Sequence, residues 1–225
     1  MKKRLLIFGA GETATIANEF FTVDTREDVA GFIVDDHMKG NQNTHLGLPL
    51  YGLSQALSDF SPSRYKVFIG LSYGQLNRER LRVFNIFKNE GYEFGRYVSS
   101  QASVWRTASV GDNCMIFEGN NIQHNAKIDD NVILWSGNHV GHGSRVGHST
   151  YISSHVCLAG FSNIKERCFL GINSSVTDYT VVMEDCFIGA QTLINKNTEP
   201  NSVYTGNPGI KNERVTALKL LKVKL

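Results

Sequence analysis

The residues best suited to chemistry are His142 and Gly160, which lie eighteen positions apart, with His124 eighteen positions before His142. A histidine can take a proton from an attacking amine, and a glycine amide can donate a hydrogen bond to the oxyanion that forms when a thioester is attacked. Acyl transfer to an amine needs both groups in one place. His142 and Gly160 are therefore candidate catalytic residues if the fold brings every eighteenth residue together.

A second group of candidates, near the start of the chain, could bind a nucleotide. Gly9, Gly11 and Thr13 follow an apolar segment and precede an apolar helical pattern. Glycines let a phosphate approach the backbone, and a helix N-terminus attracts anions. Asp35 and Asp36 end the next apolar segment, where a ribose-binding acid lies in a dinucleotide-binding fold. These features predict nucleotide binding, and close packing of a helix on a strand is the alternative explanation for the glycines.

Composition narrows the class of protein. The chain has 225 residues, 41% hydrophobic and 20% charged, enough to bury a core in one or two domains. Its net charge of +2 gives no electrostatic reason to bind nucleic acid. The apolar runs are too short for a signal peptide or a membrane span. Four cysteines without zinc or thioredoxin spacing fit a reducing compartment. We expect a cytoplasmic protein with no nucleic-acid partner and no membrane insertion.

A six-residue repeat dominates the second half of the chain. An aliphatic residue recurs at every sixth position from Val104 to Ile194, and all sixteen positions of this register are Val, Ile or Leu. Glycine or another small residue is frequent beside them. This period fits neither an amphipathic helix nor an alternating strand, but it fits a coil with short flat sides. The sequence therefore predicts a parallel β-helix.

The N-terminal third has the pattern of an α/β fold. Apolar strand patterns cover 3–8, 29–34, 49–51 and 66–70, and helical patterns follow Gly11 and cover 54–60 and 76–90. The segment 37–45 reads as a polar loop. Four or five strands make half of a dinucleotide-binding sheet, which suits a mononucleotide or a nucleotide sugar better than a nicotinamide cofactor. We expect a Rossmann-like half-domain.

The repeat, which covers 102 to about 206, resembles the hexapeptide-repeat acyltransferases. The whole chain is similar to a narrower group, the sialic-acid O-acetyltransferases and bacillosamine-type nucleotide-sugar N-acetyltransferases. The stretches that carry this resemblance are IFGAG at 7–11, FIVDD at 32–36, GLPLYG at 47–52, CFLGINS at 168–174 and VYTGNP at 203–208.

The resemblance implies a left-handed, triangular β-helix with about eighteen residues per turn. It implies a nucleotide-sugar-binding domain at 1–98, an acyltransferase domain at 99–210 and a tail at 211–225. Three subunits would pack into a homotrimer with active sites between neighbours. Gly70 would join the nucleotide-sugar site, and acetyl-CoA would bind at Gly160, Asn173, Ala190, Gly206 and Pro208.

With eighteen residues per turn, His124, His142 and Gly160 lie one above another. The catalytic histidine of the resembling family also falls on His142. Several relatives carry a carboxylate after this histidine, whereas this chain has Gly143, and another family histidine aligns with Tyr151. His139 is a rival base, and His124 and Tyr151 are possible neighbours.

We therefore expect an acetyl-CoA-dependent N-acetyltransferase that acts on a nucleotide-linked amino sugar, with a 3- or 4-amino-deoxyhexose favoured. The alternatives are a sugar O-acetyltransferase and a non-catalytic trimeric protein that binds a nucleotide sugar. We expect no metal, because the histidine pair with the five-residue spacing of trimeric zinc carbonic anhydrases is absent from the seven histidines.

Overall fold

The computed structural model describes residues 2–206. Pro208 and the tail 211–225 lie outside the described residues, so the predictions made for them are not addressed. The described chain has two parts, a layered α/β sheet and a parallel β-helix, and a shared apolar cluster joins them.

The N-terminal part is a six-stranded sheet with the order β3-β4-β2-β1-β5-β6. Neighbouring strands are parallel, except that β3 runs antiparallel to β4. The strands are β1 Arg4–Phe8, β2 Val29–Val34, β3 Thr44–His45, β4 Leu48–Gly52, β5 Tyr65–Ile69 and β6 Glu93–Phe94; the helices are α1 Glu12–Val23, α2 Asp36–Lys39, α3 Leu53–Asp59 and α4 Arg78–Asn89.

The central strands are apolar on both faces because both faces of the sheet are covered. Leu5 and Ile7 of β1 pack toward α1 and the β-helix, whereas Leu6 and Phe8 pack toward α3 and α4. The two strands beyond the predicted four, β3 and β6, are two residues long and leave no hydrophobic pattern. The segment 37–45, predicted as a loop, contains most of α2 and all of β3.

Residues 97–204 form a β-helix with three flat faces built from two-residue strands. Face 1 holds Tyr97–Val98, Met115–Ile116, Ile133–Leu134, Tyr151–Ile152, Phe169–Leu170, Phe187–Ile188 and Val203–Tyr204; face 2 holds Ser103–Val104, Asn121–Ile122, His139–Val140, Cys157–Leu158, Ser175–Val176 and Leu193–Ile194; face 3 holds Ser109–Val110, Lys127–Ile128, Arg145–Val146, Asn163–Ile164 and Val181–Val182.

The six-residue register marks the interior of this coil. Each aliphatic residue of the register is the second residue of a strand and lies in the central core, with only Val104 and Val110, in the first turn, partly exposed. Strands pair in parallel with strands eighteen residues away, as in Met115↔Ile133. The predicted fold class, a Rossmann-like half-domain followed by a left-handed parallel β-helix, is confirmed.

The corners impose one backbone requirement. From Asn113 to Gln191, every sixth residue has a positive φ. Glycine and asparagine adopt this left-handed conformation at the lowest cost, and they occupy half of these corners. Phe161 and Tyr179 occupy two others, at φ 58° and 55°.

Candidate active site

His142 lies at a corner of the β-helix, two residues after the end of the face 2 strand His139–Val140. The parallel pairing of this strand with those at 121–122 and 157–158 gives His124, His142 and Gly160 equivalent positions in successive turns. We call this corner, between faces 2 and 3, the His142 edge. The structure thus brings His142 and Gly160 together, as their spacing in the sequence requires.

The imidazole of His142 lies over Gly160. Its Cε1, Nε2 and Nδ1 atoms lie 2.6, 2.8 and 3.1 Å from the position that a Cβ atom on Gly160 would occupy. Within residues 2–206, the amide N–H of Gly160 has no hydrogen-bond acceptor, while its carbonyl accepts from Tyr179. The ring of the candidate base and a free amide donor therefore belong to the same small surface.

His142 is exposed, and Gln123 and Phe161 lie beside it. The backbone N–H of His142 donates to Gln123 Oε1 at 3.1 Å, and the ring meets Phe161 edge to face with centroids 5.0 Å apart. His124, one turn away, contacts Thr107 Oγ1 through Nδ1 at 2.9 Å. Among the described residues, no side chain hydrogen bonds to the His142 ring nitrogens. Both nitrogens are therefore available to a substrate.

The other predicted neighbours lie on the flat faces. His139 is a half-buried residue on the outer side of face 2, between Asn121 and Cys157. Tyr151 is buried on face 1 and packs against Tyr73, and burial raises its pKa. Within one chain, the structure does not bring Tyr151 to the His142 edge.

A second candidate site is a cleft of about 980 Å³ at the carboxyl ends of β1 and β2. Three of the residues predicted to bind a nucleotide sugar, Gly9, Gly11 and Asp35, line this cleft. The apolar side chains Phe8, Val34, Met38 and Leu71 line it too. Gly11 is the N-cap of α1 and supplies no side-chain cap, which leaves the first amides of the helix open to an anion. The arrangement suits a flat base between apolar walls and a phosphate at the helix N-terminus.

Arg82, which the sequence analysis missed, also lines this cleft. Its guanidinium donates to both carboxylate oxygens of Asp35, at 2.6 and 3.3 Å, and to Glu79 at 3.0 Å. The hydrogen bond to Asp35 raises the pKa of Arg82. Arg82 lies on α4, 47 residues after Asp35, and no local pattern in the sequence connects the two.

The remaining N-terminal candidates lie outside the lining of the cleft. Asp36 accepts hydrogen bonds from the backbone and side chain of Ser54 at the start of α3, which lowers its pKa. Thr13 lies in the first turn of α1. Gly70 is a packing glycine, because a Cβ atom there would lie 2.9 Å from the Cα atom of Ala14. Their predicted contacts with a nucleotide sugar stay predictions.

The residues predicted to bind acetyl-CoA fall on two edges. Asn173, Ala190 and Gly206 each follow a face 1 strand, at the corner between faces 1 and 2, which we call the Asn173 edge. Gly160 belongs to the His142 edge. The two edges border opposite sides of face 2, so one chain does not bring the whole predicted set together.

Within 2–206, no group of three or more His, Cys, Asp or Glu side chains could hold a metal ion. None of the helices in this range combines the length and apolar character required to cross a membrane.

The fold of the chain is similar to that of several solved structures. No family model matches the chain, and no curated protein matches it. Among solved structures, a variant of perosamine N-acetyltransferase from Caulobacter crescentus in complex with CoA and GDP-perosamine has a TM-score of 0.82, with 22% identity over 95% of this chain and 99% of that one.

Two more solved structures have the same fold. The acetyltransferase domain of PglB from Neisseria gonorrhoeae FA1090 gives a TM-score of 0.79, with 20% identity over 92% of this chain and 98% of that one. WeeI from Acinetobacter baumannii AYE gives 0.60, with 15% identity over the same shares. Over more than nine-tenths of its length, the chain therefore has the two-part fold of these three structures.

Proposed function

We propose that the protein is an acetyl-CoA-dependent N-acetyltransferase that acts on a nucleotide-activated amino sugar, a 3- or 4-amino-deoxyhexose, in bacterial surface-glycan biosynthesis. The observation that carries this proposal is the imidazole of His142, which lies over Gly160 with both ring nitrogens free of described partners. The fold supports it, because a solved structure with the same fold contains CoA and GDP-perosamine.

In the proposed reaction, the lone pair of the sugar amine attacks the thioester carbonyl of acetyl-CoA and forms the new C–N bond. The carbonyl electrons move to oxygen, where the Gly160 amide donates a hydrogen bond. His142 accepts the proton that the nitrogen loses. When the C–S bond breaks, the CoA thiolate leaves with the electron pair, and protonated His142 returns the proton to sulfur. An amide and free CoA result.

In this proposal, the N-terminal cleft holds the nucleotide. The diphosphate lies at Gly9 and Gly11, where the α1 amides are uncapped, and the base lies between Phe8, Val34 and Leu71. Asp35, paired with Arg82, faces the base or ribose. A uracil, thymine or guanine ring presents a ring N–H next to a carbonyl, so a carboxylate beside a guanidinium complements all three.

The acetyl-CoA site in this proposal uses both edges of face 2. Asn173, Ala190 and Gly206, on the Asn173 edge, bind the cosubstrate together with Pro208, which lies outside the described residues, and Gly160 faces its thioester. Because these edges are apart in one chain, the complete site requires a neighbouring copy, which agrees with a homotrimer. We place the enzyme in the cytoplasm, where acetyl-CoA and nucleotide sugars are made.

The test is to incubate the purified protein with acetyl-CoA and UDP-, dTDP- or GDP-linked 3- and 4-amino sugars, following thiol release and product mass. We expect one amino sugar to gain an acetyl group.

A general base is worth about 10² to 10⁴ in rate, so the rate of acetyl transfer by His142→Gln should be lower by a factor in that range. His139→Gln is the matched control, and a larger loss there would transfer the base role to His139.

The other outcomes separate the alternatives. If hydroxyl groups of the sugars are acetylated and amines are not, the protein is an O-acetyltransferase. If no acetyl transfer occurs and calorimetry detects binding of a nucleotide sugar, the non-catalytic binding protein is supported and the enzyme proposal fails.

A further inference from the structure

We propose that Phe161 is a positioning residue for His142, holding its imidazole over Gly160 by packing alone; this inference rests on the proposed function. The side chain of a general base must be held in one orientation to act efficiently. In many sites a hydrogen-bonded carboxylate does this. Within residues 2–206, the His142 ring has no such partner, so its orientation must come from the groups that touch it.

Two glycines and one aromatic ring determine the position of the His142 ring. The His142 ring covers Gly160, whose missing Cβ atom leaves the space that the ring occupies. Phe161 meets the ring edge to face, at an interplanar angle of 84°. Phe161 in turn covers Gly143, where a Cβ atom would lie 2.6 Å from Phe161 Cε1. Each ring therefore has one side fixed against a glycine, and the two rings fix each other.

The backbone conformation of Phe161 is strained, and this strain lowers the stability of the folded protein. Its φ of 58° is the left-handed conformation, which aromatic residues adopt with strain. The equivalent corner two turns earlier carries asparagine, Asn125, which adopts this conformation with less strain. Phe161 is also 47% exposed, so burial recovers only part of the cost. A strained, half-exposed aromatic residue beside the candidate base indicates a functional role.

Tyr179 provides an internal comparison. It occupies the same corner one turn later, has a φ of 55°, is 71% exposed and stacks on Phe161 with ring centroids 5.1 Å apart. Of these two rings, only Phe161 is paired with His142. Substitution of either by asparagine removes a ring and relieves the same backbone strain, but only one substitution removes the contact with the base.

The experiment compares Phe161→Asn with Tyr179→Asn in the full chain. We expect Phe161→Asn to fold with an equal or higher Tm and to lower kcat about tenfold, a part of the 10² to 10⁴ that a general base supplies. KM for both substrates should change less than twofold. Tyr179→Asn should lower kcat less than threefold, and Phe161→Tyr, which keeps the ring, should restore most of kcat.

A second readout does not depend on activity. In protein with ¹³C-labelled histidine, the His142 ring resonances can be assigned by their loss in His142→Gln. The Phe161 ring current should displace them, and Phe161→Asn should move them further than Tyr179→Asn does. If this shift occurs but the wild type transfers no acetyl group, the proposed function fails and the packing arrangement stands.

Three results would overturn the proposal. The first is an unchanged His142 spectrum in Phe161→Asn. The second is an unchanged kcat in an active enzyme. The third is a raised KM with kcat intact, which would make Phe161 a substrate-binding residue instead.

Discussion

At the scale of single residues, the geometry around Gly160 predicts the effect of its substitution by alanine. Its φ is not in the left-handed region, so alanine fits the backbone, but the added Cβ atom would lie 2.6 Å from the His142 ring. The ring can swing into solvent because His142 is exposed. We expect Gly160→Ala to lower kcat at least about tenfold through loss of base and oxyanion alignment, with Tm changed by less than about 2 °C.

Gly74→Ala is the control for this substitution. Gly74 also has a φ outside the left-handed region, and its Cβ position is open, so neither rate nor Tm should change. Full activity in Gly160→Ala, measured by thiol release beside a thermal melt, would show that the imidazole need not lie over residue 160.

Residue-scale prediction from the sequence succeeds where the repeat is strict. The eighteen-residue spacing was enough to bring His142 to Gly160, because every corner repeats the same geometry. It could not identify Arg82 or Phe161. The first depends on a contact between α4 and the end of β2, and the second on a ring in a backbone conformation that its residue type disfavours.

At the scale of elements, α4 joins the two parts of the molecule through a buried charge. Arg80 is fully buried, and its guanidinium donates to the backbone carbonyls of Ser72, Asn131, Ser149 and Thr150 at 2.9 to 3.3 Å. Burial lowers its pKa to about 10, so Arg80 remains charged at neutral pH. The helical pattern at 76–90 predicts only that Arg80 is a polar residue of a helix. The carbonyl groups that accept hydrogen bonds from its guanidinium are known only from the packing of α4 against the β-helix.

We expect Arg80→Met to destabilise the protein by about 3 kcal/mol, because the buried carbonyls lose their donor. Urea unfolding measures this loss, and limited proteolysis should show faster cleavage in 71–77, the segment that includes Ser72. Arg82→Met, two positions along the same helix, removes only exposed ion pairs and should cost at most about 1 kcal/mol. Equal losses in the two variants would refute the special role of Arg80.

A second contact of α4 predicts a pH dependence. Asp185 of the β-helix accepts from Arg167 and from Arg78 of α4, at 2.9 and 2.8 Å, and these partners lower its pKa below the ordinary 3.8. The ion pairs of Asp185 with the two arginines therefore stabilise the fold above pH 3.8. This contribution disappears as the pH falls through the pKa that Asp185 has in the folded protein. Asp185→Asn should cost about 1–2 kcal/mol at pH 7 and progressively less below pH 3.8. A difference from wild type that stays constant between pH 7 and 3 would contradict this assignment.

At the scale of the whole molecule, the three faces of the β-helix differ in what covers them. Most of face 1 is buried under the N-terminal sheet, and face 3 carries the charged outer residues Lys127 and Arg145. The outer residues of face 2 are small or neutral, and no segment within residues 2–206 covers this face. These outer residues are Ser103, Asn121, His139, Cys157, Ser175 and Leu193. Depletion of charge is typical of the centre of protein interfaces. Sequence periodicity predicts three faces but cannot predict which of them the N-terminal part covers.

We therefore predict that face 2 packs against neighbouring copies, which would bring a His142 edge close to an Asn173 edge. Light scattering should give three times the 25.0 kDa of one chain. Leu193, 60% exposed at the end of this face, supplies the test. Leu193→Glu should lower the mass toward the monomer and reduce acetyl transfer, whereas Lys127→Glu on face 3 should leave both unchanged.

Cys157 reports on the same surface independently of mass. It is exposed in the single chain, whereas Cys114, Cys168 and Cys186 are buried, and burial raises the pKa of the Cys114 and Cys168 thiols to about 12. Cys157 should therefore be the reactive thiol once face 2 is free. In the assembled protein we expect slow alkylation, and in Leu193→Glu one thiol should react at least about tenfold faster. Rapid alkylation of Cys157 in a particle of trimer mass would show that the copies meet through another surface, and that face 2 does not form the shared site.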